Sequence, residues 1–292
     1  MKSRLRLARG KPLRDGILAA FANVLRVPRR CAAAAREKPV EAVHEYRKSI
    51  RRARALLSLL RPAIGKTAHK GLLGELKGAF GETSSLRDAD VLLATLRALP
   101  AGESDGERKF ADEALEAEIA SARDSAAIAK VLHHGSARLK PLPAALGVIL
   151  PQDFSVREIE AGLERAARRV ADTLATARRT AKEEDFHEWR KAVKELRYQV
   201  ELLSWGGSRK IKAREKDLGD LAKSLGDATD LAVLRRELSS RQVAGTMPAT
   251  PTLLALLEAR ATEERSTLLE RGAALLSEKP APLARTVLAE RG

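Results

Sequence analysis

The chain has 292 residues, with 54 Lys and Arg against 39 Asp and Glu for a formal net charge of +15, and a pI near 10.2. With 44% hydrophobic residues it carries enough apolar matter for the core of one large or two average domains, which excludes wholesale disorder. Its single cysteine, Cys31, excludes an intrachain disulfide and a zinc site built from several thiolates.

Aromatic residues make up only 3% of the chain. Ala, Leu, Arg and Glu dominate, and these lose least entropy in a helix, so an all-α protein is expected. Apolar periodicity and breakers predict helices over 13–36, 40–61, 67–82, 86–98, 105–138, 155–181, 185–206, 209–225, 228–239 and 252–277. The first includes the longest apolar stretch, Gly16 to Leu25, which is too short to span a membrane and runs directly into Arg26, Arg29 and Arg30. Charges occupy the place where a signal-peptide cleavage region would be small and neutral, so the expectation is the first helix of a cytoplasmic protein. Pro141, Pro143 and Pro151 interrupt helical periodicity and predict a connection over 141–154 between a first half, 1–140, and a second, 155–292.

The halves resemble each other. Val43-His44-Glu45-Tyr46-Arg47-Lys48 reappears as Phe186-His187-Glu188-Trp189-Arg190-Lys191, an offset of 143. Arg51 then meets Lys194, Arg54 meets Arg197, and Arg87-Asp88-Ala89-Asp90-Val91-Leu92 lines up with Thr229-Asp230-Leu231-Ala232-Val233-Leu234. A duplicated helical unit predicts two four-helix-type bundles about a pseudo-two-fold axis, with a shared surface between them.

Val43, Tyr46, Ile50, Ala53, Leu57 and Leu60 keep the spacing of one helical face and are expected in the core. Phe186, Trp189, Val193, Leu196, Val200 and Leu203 repeat the pattern. Beside the first stripe runs a basic one, His44, Arg47, Lys48, Arg51 and Arg54, and beside the second His187, Arg190, Lys191, Lys194 and Arg197. At 1.5 Å per residue each spans about 15 Å, a row of cations matched to a linear polyanion. A charged face next to a core face is ordinarily just solvated. Here like charges repel at i,i+3 and i,i+4, almost no acid interrupts them, and the arrangement occurs twice, so an anion that offsets the repulsion is the better reading. Arg26 and Arg169 hold equivalent positions on the preceding helices, with Arg30, Arg165 and Arg168 nearby, as flanking ligands.

His44 and His187 either fix helix contacts or touch the anion. The sequence His-Glu followed by a lysine fails the two-histidine zinc motif, so neither metal nor cofactor is expected. Asp185 and Glu188 form a capping-box pattern for the second basic helix. Asp88, Asp90, Asp227 and Asp230 stand at starts of apolar runs, where Asp serves as a cap or as an acid that holds a cation in place. Gly65-Lys66-Thr67 lacks the first glycine of a phosphate loop, Leu60 standing in its place.

At the two repeated blocks the sequence resembles the CHAD family of histidine-containing helical domains. The resemblance rests on His44 to Arg54 with Arg87 to Val91, then on His187 to Tyr198 with Leu225 to Asp230. It implies a pair of four-helix bundles around a basic groove or pore that binds inorganic polyphosphate, with Asp88, Asp230 and Tyr198 in support. Some relatives are found on polyphosphate granules and some are fused to a triphosphate-hydrolysing barrel. No stretch here has that barrel's alternating strand pattern, so a binding module that is not an enzyme is expected. Two departures affect the first repeat: Ala55 replaces the tyrosine found at Tyr198, and Ser84-Ser85 replace Gly226-Asp227. Nucleic acid is the leading alternative ligand and a non-specific competitor, although the basic faces carry few aromatics for base stacking. A phosphate-chain hydrolase using His44 or His187, and a scaffold whose groove is incidental, are the other two.

Overall fold

The computed structural model describes residues 12–83, 88–122, 124–204, 209–246 and 248–275. Among them it is all-α: α1 (Leu13–Ala34), α2 (Pro39–Gly81), α3 (Asp88–Arg97), α4 (Asp105–Ala122), α5 (Ser125–Leu139), α6 (Leu142–Ile149), α7 (Val156–Thr180), α8 (Glu183–Ser204), α9 (Arg209–Val243) and α10 (Pro251–Leu275). No described helix is long and apolar enough to cross a membrane.

α2 is two helices in one. Gly65 takes φ 77°, ψ 169°, a conformation open to glycine because it has no Cβ. In a straight helix Tyr46 and Ala79 would stand about 50 Å apart. Instead the Tyr46 hydroxyl reaches the Ala79 carbonyl at 3.5 Å and the Arg47 guanidinium donates to the Thr83 carbonyl at 2.8 Å. Residues 66–81 therefore return along residues 39–64 as a hairpin, and the break expected between 61 and 67 stands at Gly65.

Four boundaries differ from the sequence expectation. The helix expected over 105–138 is two: Asp124 accepts from the Ala126 and Ala127 amides at 2.8 and 3.1 Å and starts α5 afresh. The connection at 141–154 contains α6, which Pro141 precedes without disrupting, and whose end is capped by Arg14 through the Gly147 carbonyl at 2.6 Å. The break expected near 226 is absent, because one glycine inside a helix costs only about 1 kcal/mol and α8 packs along α9 there. α8 begins at Glu183, and Asp185 accepts from the Thr180 hydroxyl at 2.6 Å instead of capping. The capping box belongs to α7, where Ser155 and Glu158 hold each other's backbone.

Both expected core stripes are buried along their whole length, from Val43 to Leu60 and from Phe186 to Leu203. Tyr46 and Trp189, at matching positions, are the two largest fully buried side chains among the described residues. Each presses on a glycine of a later helix, Tyr46 on Gly135 and Trp189 on Gly272, where any Cβ would collide with the ring system.

The core does not divide where the sequence does. One large cluster draws on α1, α2, α5, α6, α7, α8, the first part of α9 and Leu268 of α10. A second is made by Leu92, Leu93 and Leu96 of α3 and Leu115 of α4, closed by Leu234 and Leu238 of α9 and Leu253 and Leu257 of α10. The halves are fastened by a buried pair in which Arg52 donates to Glu201 at 3.0 and 2.8 Å. Gln199 donates to the Ala55 carbonyl at 3.1 Å. Gly162 lets α7 approach the backbone of α2 at Leu59, where a side chain would strike the carbonyl oxygen.

Candidate functional site

Helices α2 and α8 pack side by side in the main core, while α3 pairs with α9 in the second. Between these two pairings a groove of about 430 Å³ is left open. Its floor is apolar, with Ala55, Leu92 and Tyr198, and Phe80, Val91 and Val233 are partly exposed along it. Its walls are cationic: Arg47, Arg51 and Arg54 from α2, Arg169 from α7, and Arg190, Lys191 and Lys194 from α8. Seven cations face two carboxylates, Glu195 and Asp230.

The spacing of the first stripe explains its geometry. Arg47, Arg51 and Arg54 repeat at i,i+4,i+7 and so project together. All three gather on one aromatic ring, with guanidinium carbons 4.1, 5.8 and 5.6 Å from the centroid of Phe80. The ring's negative face attracts the planar cations and orders them without neutralising them. Arg47 is further held by the Thr83 carbonyl and by its hydroxyl at 3.0 Å. Among the described residues no carboxylate lies within ion-pairing distance of Arg51 or Arg54. Burial lowers the pKa of Arg54, with Glu195 raising it and Arg51 and Arg169 lowering it further. An arginine so placed stays charged and lacks solvation.

The second repeat is braced by acids. Arg190 meets Asp230 at 3.3 Å and lies against Gly226, where a Cβ would stand 3.3 Å from the guanidinium. Arg169 bonds to Glu195 at 2.9 Å and Lys191 to Glu188 at 2.6 Å. Asp230, expected as a support, lies beside Arg190; the side chain of Asp88 lies outside the described residues. Tyr198 is buried beneath Arg52 and Arg197, 5.1 and 5.8 Å from its ring centroid. In the first repeat Ala55 offers no ring at the corresponding place, and Phe80 supplies the aromatic surface from the hairpin instead.

His187 lines the groove, and its pKa is held below the ordinary histidine value by burial first, then by Lys191 and Arg190. His44 does not share that position. It is about half exposed and lines a neighbouring cavity of about 540 Å³ with Asp90, Asp227, Asp230, Arg260 and Glu264. Arg197 opens instead onto a shallow basin with Lys212, Lys216 and Lys223. Lys48 bonds to Glu45 at 3.1 Å outside the groove, Arg26 bonds to Asn23 at 2.9 Å on the surface, and Arg30 is exposed. Arg165 does not line the groove and donates to the Ser58 carbonyl of α2. Sequence reasoning missed Phe80 and Glu195. Glu195 sits beside Lys194 in the stripe and could have been read as its one acid; Phe80 reaches the groove only through the Gly65 hairpin. Among the described residues no group of three His, Cys, Asp or Glu side chains could hold a metal ion.

A search of curated proteins returns no match. The fold is similar to the crystal structure of the CHAD domain from the plant Ricinus communis, with a TM-score of 0.65 at 21% sequence identity, over 95% of this chain and 93% of that one. The CHAD domain family model matches residues 19–239. With that match spanning most of the sequence, and helices of the same overall arrangement, the chain belongs to the CHAD family.

Proposed function

We propose that the groove binds inorganic polyphosphate and holds it without cutting it. The observation that carries this reading is the gathering of seven cations from α2, α7 and α8 around one cavity, with Arg51 and Arg54 outside any ion pair among the described residues. A polyphosphate chain bears a negative charge at each phosphate, so it offsets the mutual repulsion of such a row along its length. Arg grips phosphate oxygens through two parallel N–H bonds, and Lys acts as a mobile point charge. The apolar floor under the cations lowers the local dielectric and strengthens each contact. A pseudo-two-fold relation of the halves, which the repeated helices motivate, would let one chain engage both stripes, so a long polymer gains effective concentration that short phosphates lack. Such a module would concentrate the protein on polyphosphate granules in the cytoplasm.

Calorimetric titration with long-chain polyphosphate, tripolyphosphate and a DNA duplex at physiological salt tests this. Long-chain polyphosphate should bind tightest, and Arg51→Gln/Lys194→Gln, checked for folding by circular dichroism, should weaken it by about tenfold or more. Equal or tighter binding of DNA would instead make the groove a nucleic-acid site. Orthophosphate release from the same samples would make the protein a hydrolase.

A further inference from the structure

The groove leaves one cationic cluster unexplained. Arg47, Arg51, Arg54 and Arg61 fall at i,i+4,i+7,i+14 on α2, so the stripe that lines the groove continues past it for about 10 Å. At its far end stands the Gly65 turn, with Arg61 four residues before and His69 four residues after. From α7, Arg165 reaches the same place, anchored on the Ser58 carbonyl beside the close approach of Gly162 to Leu59.

His69 lies within electrostatic reach of Arg165, Arg61 and Lys77, and every one of those groups is cationic. Arg165 feels Arg61 and Arg169 as well, with Glu195 acting on it from the groove side. Two nitrogens in the cluster, His69 Nε2 and Arg165 Nε, are buried without a hydrogen-bond partner. Gathering like charges and leaving their donors unsatisfied both cost free energy. Several anionic oxygens placed among them would offset both costs together.

We infer that the α2–α7 seam at the Gly65 hairpin is a second phosphate subsite, which receives a polyphosphate chain as it leaves the groove. Arg54 and Arg169 carry the chain along the seam, Arg165 and Arg61 grip the next phosphates, and His69 becomes protonated and donates through Nε2. The inference rests on the groove reading above. It adds a direction of exit and a length requirement, since only a chain long enough to fill the groove and pass it reaches His69.

The test is an NMR pH titration of the His69 imidazole, assigned with His69→Asn, in the free protein and with orthophosphate, tripolyphosphate or long-chain polyphosphate. Arg61→Gln is titrated calorimetrically in parallel. Long-chain polyphosphate should raise the His69 midpoint by about one pH unit, with little effect from the short phosphates. Arg61→Gln should weaken long-chain binding about three- to tenfold and leave tripolyphosphate binding unchanged. An unmoved His69, with groove binding intact and still lost in Arg51→Gln/Lys194→Gln, would overturn the subsite and leave the groove standing. An equal shift with orthophosphate would overturn it too, making the cluster an independent anion site. Failure of any polyphosphate to bind would remove the groove reading and the subsite together.

Discussion

Arg52 and Glu201 show how far neighbouring cations on one helix can differ. Arg51 faces the groove, whereas Arg52, one residue on, is turned about 100° and buried against Glu201. Removing one partner of such a pair strands a buried charge, so Arg52→Met should cost about 3–5 kcal/mol in urea denaturation, while Arg52→Met/Glu201→Leu should recover most of it. The histidines give a second prediction. Burial and neighbouring cations hold His69 and His187 below the ordinary value of about 6.5. Between the folded and unfolded pKa values the unfolded chain then binds more protons, so stability rises with pH. The ligand-free protein should lose stability as pH falls below about 6.5. The loss should shrink in His69→Gln/His187→Gln, as read from urea midpoints at neutral and mildly acidic pH. Polyphosphate favours imidazolium and should reduce the same loss in the wild type.

At the scale of elements, glycines mark where the chain turns and where helices meet. Gly65 has open space around its missing Cβ, so the strain in Gly65→Ala is purely that of its positive-φ, extended-ψ backbone, about 1–3 kcal/mol. Gly74, helical and exposed with nothing near it, should instead gain about 0.5–1 kcal/mol as Ala. Gly162→Ala should exceed Gly65→Ala in cost, because the obstacle is the α2 backbone at Leu59 rather than a movable side chain. Thermal unfolding of the three variants gives the ranking. Most elements could be placed from periodicity, since the apolar stripes of α2 and α8 keep one helical face over several turns. The restart at Asp124 and the helix inside the proline-rich connection could not, because one side-chain cap or one buried turn decides each against little local signal. Gly226 misled for the opposite reason. A glycine signals a break locally, yet packing of α9 against α8 and α10 carries the helix through.

For the whole molecule, the groove exists because the two hydrophobic clusters are assembled from both halves of the chain. α3 of the first half closes on α9 of the second, which leaves the space bounded by α2 and α8. A groove lined this way should show polyelectrolyte behaviour: log affinity for long polyphosphate should fall linearly with log salt, and each cation removed from the row should reduce the slope by about one. Calorimetry across a salt series on the wild type and Arg51→Gln checks it. A slope that does not change would mean that Arg51 displaces no counterion.

Composition, the repeated blocks and the two amphipathic stripes were enough to establish an all-α chain with matched core faces and a row of cations beside each, because helical periodicity is a local property that residue spacing records directly. The repeated motif also carried the family. Which cations share a cavity was decided only by tertiary structure. His44 and His187 are equivalent in sequence yet open onto different cavities, and Arg197 leaves the groove that Lys194 lines. Phe80 comes beneath three arginines by the Gly65 reversal. Each of these turns on how helices distant in sequence are packed, and that packing is set by the sum of many buried contacts rather than by the pattern along any one helix.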